Sequence, residues 1–315
     1  MTSRIDTHQH IVPPQYRQWL VGQGIKPGGI PVPDWDSRSA IAMMDGLGIQ
    51  AGVLSVSTPG VHLTGDDPGP APTARDWARR VNEFAAETVK DRPERFGFFA
   101  TLTLPDVDGA LAEAAYALDE LHADGVILLS SVAGRYLGDP AFAPLMDELN
   151  RRRAVVFVHP AELPAPPVPG LPSFAVDFLL DTTRAALNLA ASGTMDRCAD
   201  LRIILSHGGG FLPYAAYRMA LVAGRGNAAR GLETLRRFYF DLALSSSPTA
   251  LPALLAFADP SRITYGSDFP YAPAPAYQSM ARMLDAYPLT DDQRLAIDSG
   301  NAQRLFPRLA GPGIG

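Results

Sequence analysis

The sequence predicts an α/β protein that folds as a single-domain (β/α)8 barrel, the TIM-barrel architecture, over residues 1–315. Eight short segments rich in β-branched and aromatic residues recur along the chain, most of them apolar on both faces, and stretches with helical spacing separate most of them. No glycine-rich phosphate loop follows the first strand, which argues against an open doubly wound sheet. Alternating strands and helices give a parallel sheet, and eight repeats close a barrel.

The predicted elements follow one another over most of the chain. Three of the stretches with helical spacing are Ala74–Val89, Ala110–Leu121 and Phe142–Arg152. The eight predicted strands are Arg4–Thr7, Ala51–Ser57, Phe96–Leu102, Gly125–Leu129, Ala154–Val158, Arg202–Ser206, Phe238–Leu242 and Arg262–Tyr265.

The longest loops are rich in Pro and Gly. They are Ile25–Asp34, Pro59–Pro72 and Pro160–Pro172, and the last two directly follow strands 2 and 5. We therefore expect them on the C-terminal face of the strands, where barrel enzymes keep their active sites. Gly208–Gly210, after strand 6, allows either a close approach of the backbone or a sharp turn. The Gly- and Pro-rich tail, residues 310–315, is expected to be frayed.

Composition limits the classes of partner and location. The net charge of −6 argues against binding to nucleic acid, because the phosphate backbone is bound by clustered positive charge. The N-terminus is too polar for a signal peptide, and no apolar run is long enough to span a membrane. The single cysteine, Cys198, excludes an intramolecular disulfide. We therefore expect a cytoplasmic protein with neither a nucleic-acid nor a membrane partner.

Five polar side chains directly follow predicted strands. Four of the six histidines do so, namely His8, His10, His159 and His207, and Asp268 follows strand 8. A lone histidine is commonly a packed side chain and a lone aspartate a turn residue, but together these groups surround one mouth. Because side chains alternate along a strand, an H-x-H pair points both imidazoles the same way. Adding a third histidine and a carboxylate gives a donor set suited to Zn, Fe, Co or Mn with a position left open for catalysis.

The same segments carry a family resemblance. The chain resembles the amidohydrolase superfamily, in its branch of aminocarboxymuconate-semialdehyde decarboxylase-like proteins. The matching motifs are Ile5–His10 (IDTHQH), Val156–Pro160 (VFVHP), Leu205–Gly210 (LSHGGG), Tyr265–Pro270 (YGSDFP) and Gly300–Phe306 (GNAQRLF).

The resemblance implies a role for each matching residue. It implies that His8, His10, His159 and Asp268 bind one divalent ion, usually zinc, with manganese as the alternative. It implies that His207 is the acid/base that acts beside the metal, and the sequence does not decide whether His207 or Asp268 donates the proton.

Two further expectations concern the number of metal ions and the oligomeric state. Binuclear members of the superfamily bridge two metals with a carboxylated lysine on a strand end, whereas the two lysines here, Lys26 and Lys90, lie elsewhere, so we expect one metal. Arg218 lies where some relatives send an arginine across a dimer interface to a substrate carboxylate, although a helix-surface role is an equal alternative. The family therefore suggests a homodimer.

The resemblance implies non-oxidative decarboxylation of a small aromatic or unsaturated acid. Val12–Pro14 and Gly134–Asp139 resemble the 6-methylsalicylate decarboxylase type, which makes an ortho-hydroxybenzoate the expected substrate. Hydrolysis of a lactone or amide by metal-bound hydroxide would use the same ligands, and a non-catalytic binding module is a third alternative. Four loop residues are candidate substrate contacts: Trp35, Phe269 and Tyr271 as walls of the pocket and Arg38 as a partner for a carboxylate. The alternative is ordinary packing, or a surface charge in the case of Arg38.

Overall fold

The computed structural model describes residues 3–62, 71–166 and 168–310. Eight parallel strands form one sheet in chain order, and backbone bridges from Asp6 to Tyr265 and from Gln9 to Phe269 join its last and first strands. The predicted (β/α)8 barrel is therefore confirmed. Its strands are Arg4–His10 (β1), Ile49–Ser55 (β2), Phe96–Thr101 (β3), Gly125–Leu129 (β4), Val155–His159 (β5), Arg202–Leu205 (β6), Tyr239–Asp241 (β7) and Ile263–Thr264 (β8).

Each predicted strand is present, with differences at the ends. Strand β1 runs three residues further than predicted because Gln9 and His10 still pair with Leu54 and Ser55 of β2. One unpredicted element follows β4, a two-stranded antiparallel hairpin of Ser131–Val132 with Arg135–Tyr136. Its strands are only two residues long, too short to produce a periodic pattern.

Helices surround the barrel, and the three predicted from their spacing are confirmed over Ala71–Asp91, Val107–Asp119 and Ala143–Arg151. Among the described residues, no helix is long and apolar enough to cross a membrane. The α-helices are Pro14–Gly22 (α1), Ser37–Gly46 (α2), Ala71–Asp91 (α3), Val107–Asp119 (α4), Ala143–Arg151 (α5), Asp177–Ala191 (α6), Thr194–Arg197 (α7), Leu212–Ala223 (α8), Ala228–Leu235 (α9), Ala250–Phe257 (α10), Ala274–Ala286 (α11), Asp291–Leu295 (α12) and Asn301–Leu305 (α13).

The N-terminal end of the barrel is filled by the end of the chain. Leu305 and Phe306 are buried against the barrel interior, and the ring of Phe306 lies 5.6 Å from that of Phe99 on β3. Arg308 donates hydrogen bonds to the carbonyl oxygens of Pro93 and Phe96 at the start of β3. The C-terminal segment thus caps the end of the barrel opposite the strand-end histidines.

The predicted long loops lie at the C-terminal ends of the strands. Residues from all three line one cavity of about 280 Å³, among them Lys26, Pro59 and Glu162. Residues 63–70 and 167 of these loops, and residues 311–315 of the predicted frayed tail, lie outside the described part of the chain. The described residues of these loops therefore lie on the expected face, at the C-terminal ends of the strands.

Candidate metal centre and active site

The H-x-H segment ends strand β1, and its two imidazoles point into the barrel mouth as the alternation predicts. The Nε2 atoms of His8 and His10 are 3.1 Å apart, and both side chains are fully buried. The backbone of this strand end is fixed by Asp6, whose Oδ1 accepts hydrogen bonds from the N–H groups of His8 and Ser267. Burial raises the pKa of Asp6 to about 6.

His159 and Asp268 complete the cluster. His159 is the last residue of β5, and Asp268 follows β8 in a left-handed backbone conformation, φ 63°. Oδ1 of Asp268 lies 3.2 Å from Nε2 of His10 and 3.4 Å from Nε2 of His8. One donor atom from each of the four residues lies within 4.8 Å of the other three, so the four can hold a metal ion.

Each of the three histidines places its second ring nitrogen against an acceptor. Nδ1 of His8 is 2.8 Å from Oδ2 of Asp241, and Nδ1 of His159 is 2.9 Å from the Pro160 carbonyl oxygen. Nδ1 of His10 is 3.2 Å from the Ser55 carbonyl oxygen. These acceptors favour a proton on each Nδ1 and leave the Nε2 lone pairs for a metal. The chemistry of the donor set therefore fits one divalent ion.

The electrostatics of the cluster favour the protonation states that ligands need, with one exception. Burial lowers the pKa of His10, and it lowers that of His159 well below the usual value. Burial raises the pKa of Asp268, but hydrogen bonds from His10, His207 and His8 outweigh it and hold this pKa well below its usual range. Burial also lowers the pKa of His8, yet the Asp241 and Asp268 carboxylates raise it to about 10. His8 thus keeps a proton that a metal ion would displace.

His207 lies beside the cluster but outside the four-residue group. Its Nε2 is 3.4 Å from Oδ2 of Asp268, the oxygen that faces away from His8 and His10. Its Nδ1 is buried and has no hydrogen-bond partner among the described residues. A histidine that shares a carboxylate with a metal site is placed to exchange a proton with it.

The three glycines after His207 are required both for a sharp turn and for a close approach of the backbone, the two alternatives that the sequence left open. His207 itself has a φ of 53°, and each of the three following glycines also has a positive φ. A Cβ on Gly209 would lie 2.8 Å from the Phe240 ring, and a Cβ on Gly210 only 2.1 Å from the Leu179 carbonyl oxygen. The backbone thus turns sharply and packs closely, which holds His207 at the mouth in a conformation uncommon for a side-chain-bearing residue.

Aromatic rings surround the cluster, and only one of them was predicted. The ring of Tyr271 lies 5.4 Å from that of His10, where a pocket wall was expected. Phe178 of α6 lies 6.3 Å from His159, and Phe157 lies 4.9 Å from His8. The sequence did contain a signal for Phe157, which is two residues before His159 and so shares its side of β5.

The other proposed wall residues contact different parts of the molecule. The ring of Trp35 lies 6.3 Å from that of Phe84 on α3, and the ring of Phe269 lies 6.1 Å from that of Tyr277 on α11. Arg38 is exposed on α2 and forms no ion pair among the described residues. Neither ring contact is with a side chain of the four-residue cluster, although the carbonyl oxygen of Phe269 accepts a hydrogen bond from the backbone N–H of His10.

Arg218 lies on the outer surface of α8, away from the cluster's own contacts. It is exposed and forms no ion pair with any residue that the structure describes. Large apolar or aromatic side chains on the same helix are also exposed, with 88 % of Tyr214, 75 % of Tyr217 and 58 % of Leu221 accessible. The spacing of these residues places them on one face of the helix.

The cavity formed by the long loops is lined by neighbours of His159 in the chain and in the sheet, but by no member of the four-residue cluster. Leu129, which lines this cavity, pairs with His159 across β4 and β5, so both side chains emerge on the same side of the sheet. Ala161, two residues after His159, also lines it, together with Pro59 and Val132. The cavity is large enough for a small aromatic ring, and polar side chains such as Lys26 and Glu162 line it together with the apolar ones.

The chain is similar to proteins of known family over nearly its whole length. A profile of the amidohydrolase family matches residues 5–308. The chain is 40 % identical to the decarboxylase yanB of Aspergillus niger, over 98 % of this chain and 89 % of that protein. It is 38 % identical to the 6-methylsalicylic acid decarboxylase of Penicillium expansum, over 98 % of both. The solved structure of an amidohydrolase II protein superposes with a TM-score of 0.91 at 29 % identity, covering 97 % of this chain and 100 % of that one.

Proposed function

Because the chain belongs to the amidohydrolase family, in its aminocarboxymuconate-semialdehyde decarboxylase-like branch, we propose that it is a metal-dependent, non-oxidative decarboxylase of a small aromatic acid. The observation that carries the proposal is the buried cluster of His8, His10, His159 and Asp268 with His207 in contact with its carboxylate. We propose an ortho-hydroxybenzoate as the substrate and 6-methylsalicylate as the first acid to test, since a relative matched over 98 % of this chain is named as the decarboxylase of that acid.

The cluster and its surroundings divide the work of such a reaction. A bound divalent ion would supply Lewis acidity toward the substrate carboxylate and its neighbouring hydroxyl. Tyr271 and Phe178 border the cluster from two sides and would hold the aromatic ring in a fixed orientation. The apolar part of the loop cavity, formed by residues such as Leu129 and Ala161, would receive a ring substituent such as a methyl group.

The pair of His207 and Asp268 is the proposed proton carrier. A proton passes from this pair to the ring carbon that bears the carboxylate, and a new C–H bond forms there. The C–C bond to the carboxylate then breaks and CO2 leaves. The electron pair of the broken bond returns to the ring, so no oxidant or reductant is needed. Because hydrogen bonds hold Asp268 ionised, His207 is the member of the pair better able to bring the proton in.

A panel of acids tests the proposed activity. We expect CO2 and the corresponding phenol from 6-methylsalicylate and other ortho-hydroxybenzoates, and none from benzoate, which lacks the chelating hydroxyl. In D2O one deuterium should appear at the carbon that carried the carboxylate. Absence of CO2 from every acid, together with turnover of a lactone or an amide, would overturn the assignment in favour of hydrolysis.

We propose one ion per chain and zinc as its identity. Three imidazole nitrogens and one carboxylate suit zinc, and the same set also accepts manganese. Elemental analysis of the purified protein measures the content, and reconstitution of the metal-free protein with each ion separately shows which one restores turnover. Restoration by manganese alone would contradict the zinc assignment and leave the ligand set intact.

We propose a homodimer in which the exposed face of α8 meets a second copy. This face presents Tyr214, Tyr217 and Leu221 around Arg218, which has no ion-pair partner in the described part of the chain, and an apolar face of this kind is characteristic of a covered surface. Arg218 would then extend toward the partner's substrate carboxylate. Leu221→Glu should convert the dimer to a monomer in sedimentation analysis, whereas an unchanged dimer would exclude this face.

We also propose a cytoplasmic location. The one cysteine, Cys198, is buried as a free thiol, and burial raises its pKa to about 11, which protects it from reaction. Fractionation of the producing cells tests the proposal, and recovery of the activity from the culture medium would contradict it.

A further inference from the structure

Asp241, the last residue of β7, was not singled out by the sequence, yet it contacts both halves of the proposed site. Its side chain is fully buried. Oδ2 lies 2.8 Å from Nδ1 of His8, while Oδ1 accepts hydrogen bonds from the backbone N–H groups of His207, at 3.0 Å, and Ala243, at 2.9 Å. One carboxylate therefore joins a candidate ligand ring to the turn that carries the candidate proton carrier.

The partner of Nδ1 decides which nitrogen of a histidine is free to bind a metal. A neutral imidazole carries one proton, and a metal can bind only the nitrogen without it. A carboxylate oxygen accepts hydrogen bonds, so Asp241 keeps the proton of His8 on Nδ1. Nε2 of His8 faces the cluster, 3.1 Å from Nε2 of His10 and 3.4 Å from Oδ1 of Asp268, and it is the nitrogen that would give up its proton to a metal.

His8 differs from the other two histidines in this respect. Nδ1 of His10 and Nδ1 of His159 face the neutral carbonyl oxygens of Ser55 and Pro160, whereas Nδ1 of His8 faces a buried carboxylate. A charged acceptor makes the opposite nitrogen more basic than a neutral one does. The His8 ring also lies within 5.3 Å of the rings of His10, His159 and His207, so its orientation affects the whole cluster.

We infer that Asp241 is the positioning residue of the metal centre: it fixes His8 in the tautomer that binds metal and, through its other oxygen, holds the left-handed turn at His207. The inference rests on the metal centre proposed above. It concerns metal binding itself and so does not depend on which acid is the substrate.

The substitution Asp241→Asn isolates the tautomer because it changes one oxygen to an NH2 group and little else. Two backbone N–H groups require an oxygen at the Oδ1 position, so the NH2 group must take the Oδ2 position and donate to Nδ1 of His8. His8 then carries its proton on Nε2, toward the metal position. We expect the affinity for zinc, measured with a competing chelator, to fall about 10- to 100-fold or more.

Asp181→Asn is the matched control. Asp181 is also a fully buried aspartate near the mouth, and its oxygens accept hydrogen bonds from the Ala161 N–H and the Ser131 hydroxyl rather than from a ligand ring. Its zinc affinity should stay within about threefold of the wild type. Equal zinc affinity in folded Asp241→Asn protein and in the wild type would overturn the inference. Absence of zinc binding by the wild-type chain would instead overturn the metal centre.

A second measurement needs no variant and covers the case in which Asp241→Asn fails to fold. Long-range 1H–15N correlation spectra of the zinc-loaded wild-type protein report which nitrogen of each imidazole carries the proton. We expect Nδ1 of His8 to be protonated, with Nε2 shifted by the metal. A proton on Nε2 of His8, or metal bound through its Nδ1, would contradict the assigned role of Asp241.

Discussion

The two ends of the barrel are built from the same strands but filled in opposite ways. At the N-terminal end the interior is occupied by apolar side chains such as Ile5, Phe99 and Phe306. At the C-terminal mouth the equally buried positions hold ionisable groups, with His8 and His10 fully buried. Burying an ionisable group is unfavourable unless it is bonded, whereas burying an aromatic ring is favourable. The packing at the N-terminal end therefore stabilises the fold, and it offsets the unfavourable burial of ionisable groups at the C-terminal mouth.

A column of rings connects the two ends. Phe306 lies against Phe99, Phe99 stacks on Phe157 at 5.3 Å, and Phe157 lies 4.9 Å from His8. The metal cluster thus sits on a rigid aromatic support rather than on loops alone. Substitutions near His8, at the C-terminal end of the column, should affect turnover. Substitutions near Phe306, at its N-terminal end, should affect the free energy of unfolding.

The largest expected effect is on turnover and comes from Asp268→Asn at the mouth. The substitution removes a proposed charged ligand and one member of the proposed proton pair, so we expect decarboxylation to fall about 1,000-fold or more. The unfolding temperature of the metal-free protein should change little. Asp259→Asn, an exposed cap, is the control and should keep wild-type turnover. Substantial turnover by folded Asp268→Asn protein would remove this residue from the site.

The opposite pattern is expected from Phe306→Ala at the N-terminal end. Loss of a fully buried ring should lower the free energy of unfolding by about 3–5 kcal/mol in urea titrations. Turnover per folded molecule should stay within about twofold, because Phe306 does not contact the cluster. The matched substitution Phe84→Ala removes a ring that is 36 % exposed and should be milder. A large loss of turnover with little loss of stability would erase the distinction between the two ends.

Removal of the metal should destabilise the folded protein, because the proposed contacts between the metal and its ligands at the C-terminal mouth are lost. An ion present at about 100 times its Kd stabilises the folded state by about 3 kcal/mol, so chelation should lower the unfolding temperature by about 5 °C or more. The His159→Ala variant provides the comparison, since metal should no longer affect its unfolding temperature. An equal response of both proteins would place the bound ion elsewhere.

The smallest effect is a pH dependence that originates from Asp181 at the mouth. Burial raises its pKa from an ordinary value near 3.8 to about 6. Between these values the folded state holds a proton that the unfolded state has lost, so this group's contribution to stability falls as pH rises through the window. Relative to Asp181→Asn, the wild type should lose about 1–3 kcal/mol between pH 4 and pH 7.

Urea titrations at several pH values measure this difference. Asp259 should show the opposite pH dependence. A hydrogen bond from the backbone N–H of Ser261 lowers its pKa, so its contribution to the free energy of unfolding increases as pH rises from the acid range. A pH-independent difference between the wild type and Asp181→Asn would mean that Asp181 titrates normally.

The barrel and the candidate ligands were predictable because their signals are local. The predicted strands carry their apolar pattern within four to seven residues, and His8, His10 and His159 each lie at or just after the end of such a strand. The extent of the single domain, residues 1–315, stays a prediction. Glycines after His207 also signalled the turn that the structure contains.

The surroundings of the site were less predictable because they depend on contacts between distant segments. Asp241 lies inside a predicted strand, and only the folded barrel shows that it faces His8, 233 residues away. Trp35 lies just before α2 and Phe178 in the first turn of α6, yet of these two rings only that of Phe178 is near the cluster. A single acidic residue in an apolar strand, such as Asp241 between Phe240 and Leu242, is the signal that could have been used.

The most direct test of the four-residue metal centre is to measure metal content and CO2 release on the same samples of wild-type and His159→Ala protein. We expect one divalent ion per wild-type chain, a rate proportional to occupancy, and loss of both in the variant. Metal at the wild-type level in His159→Ala protein, or full activity from metal-free wild type, would contradict the proposed centre.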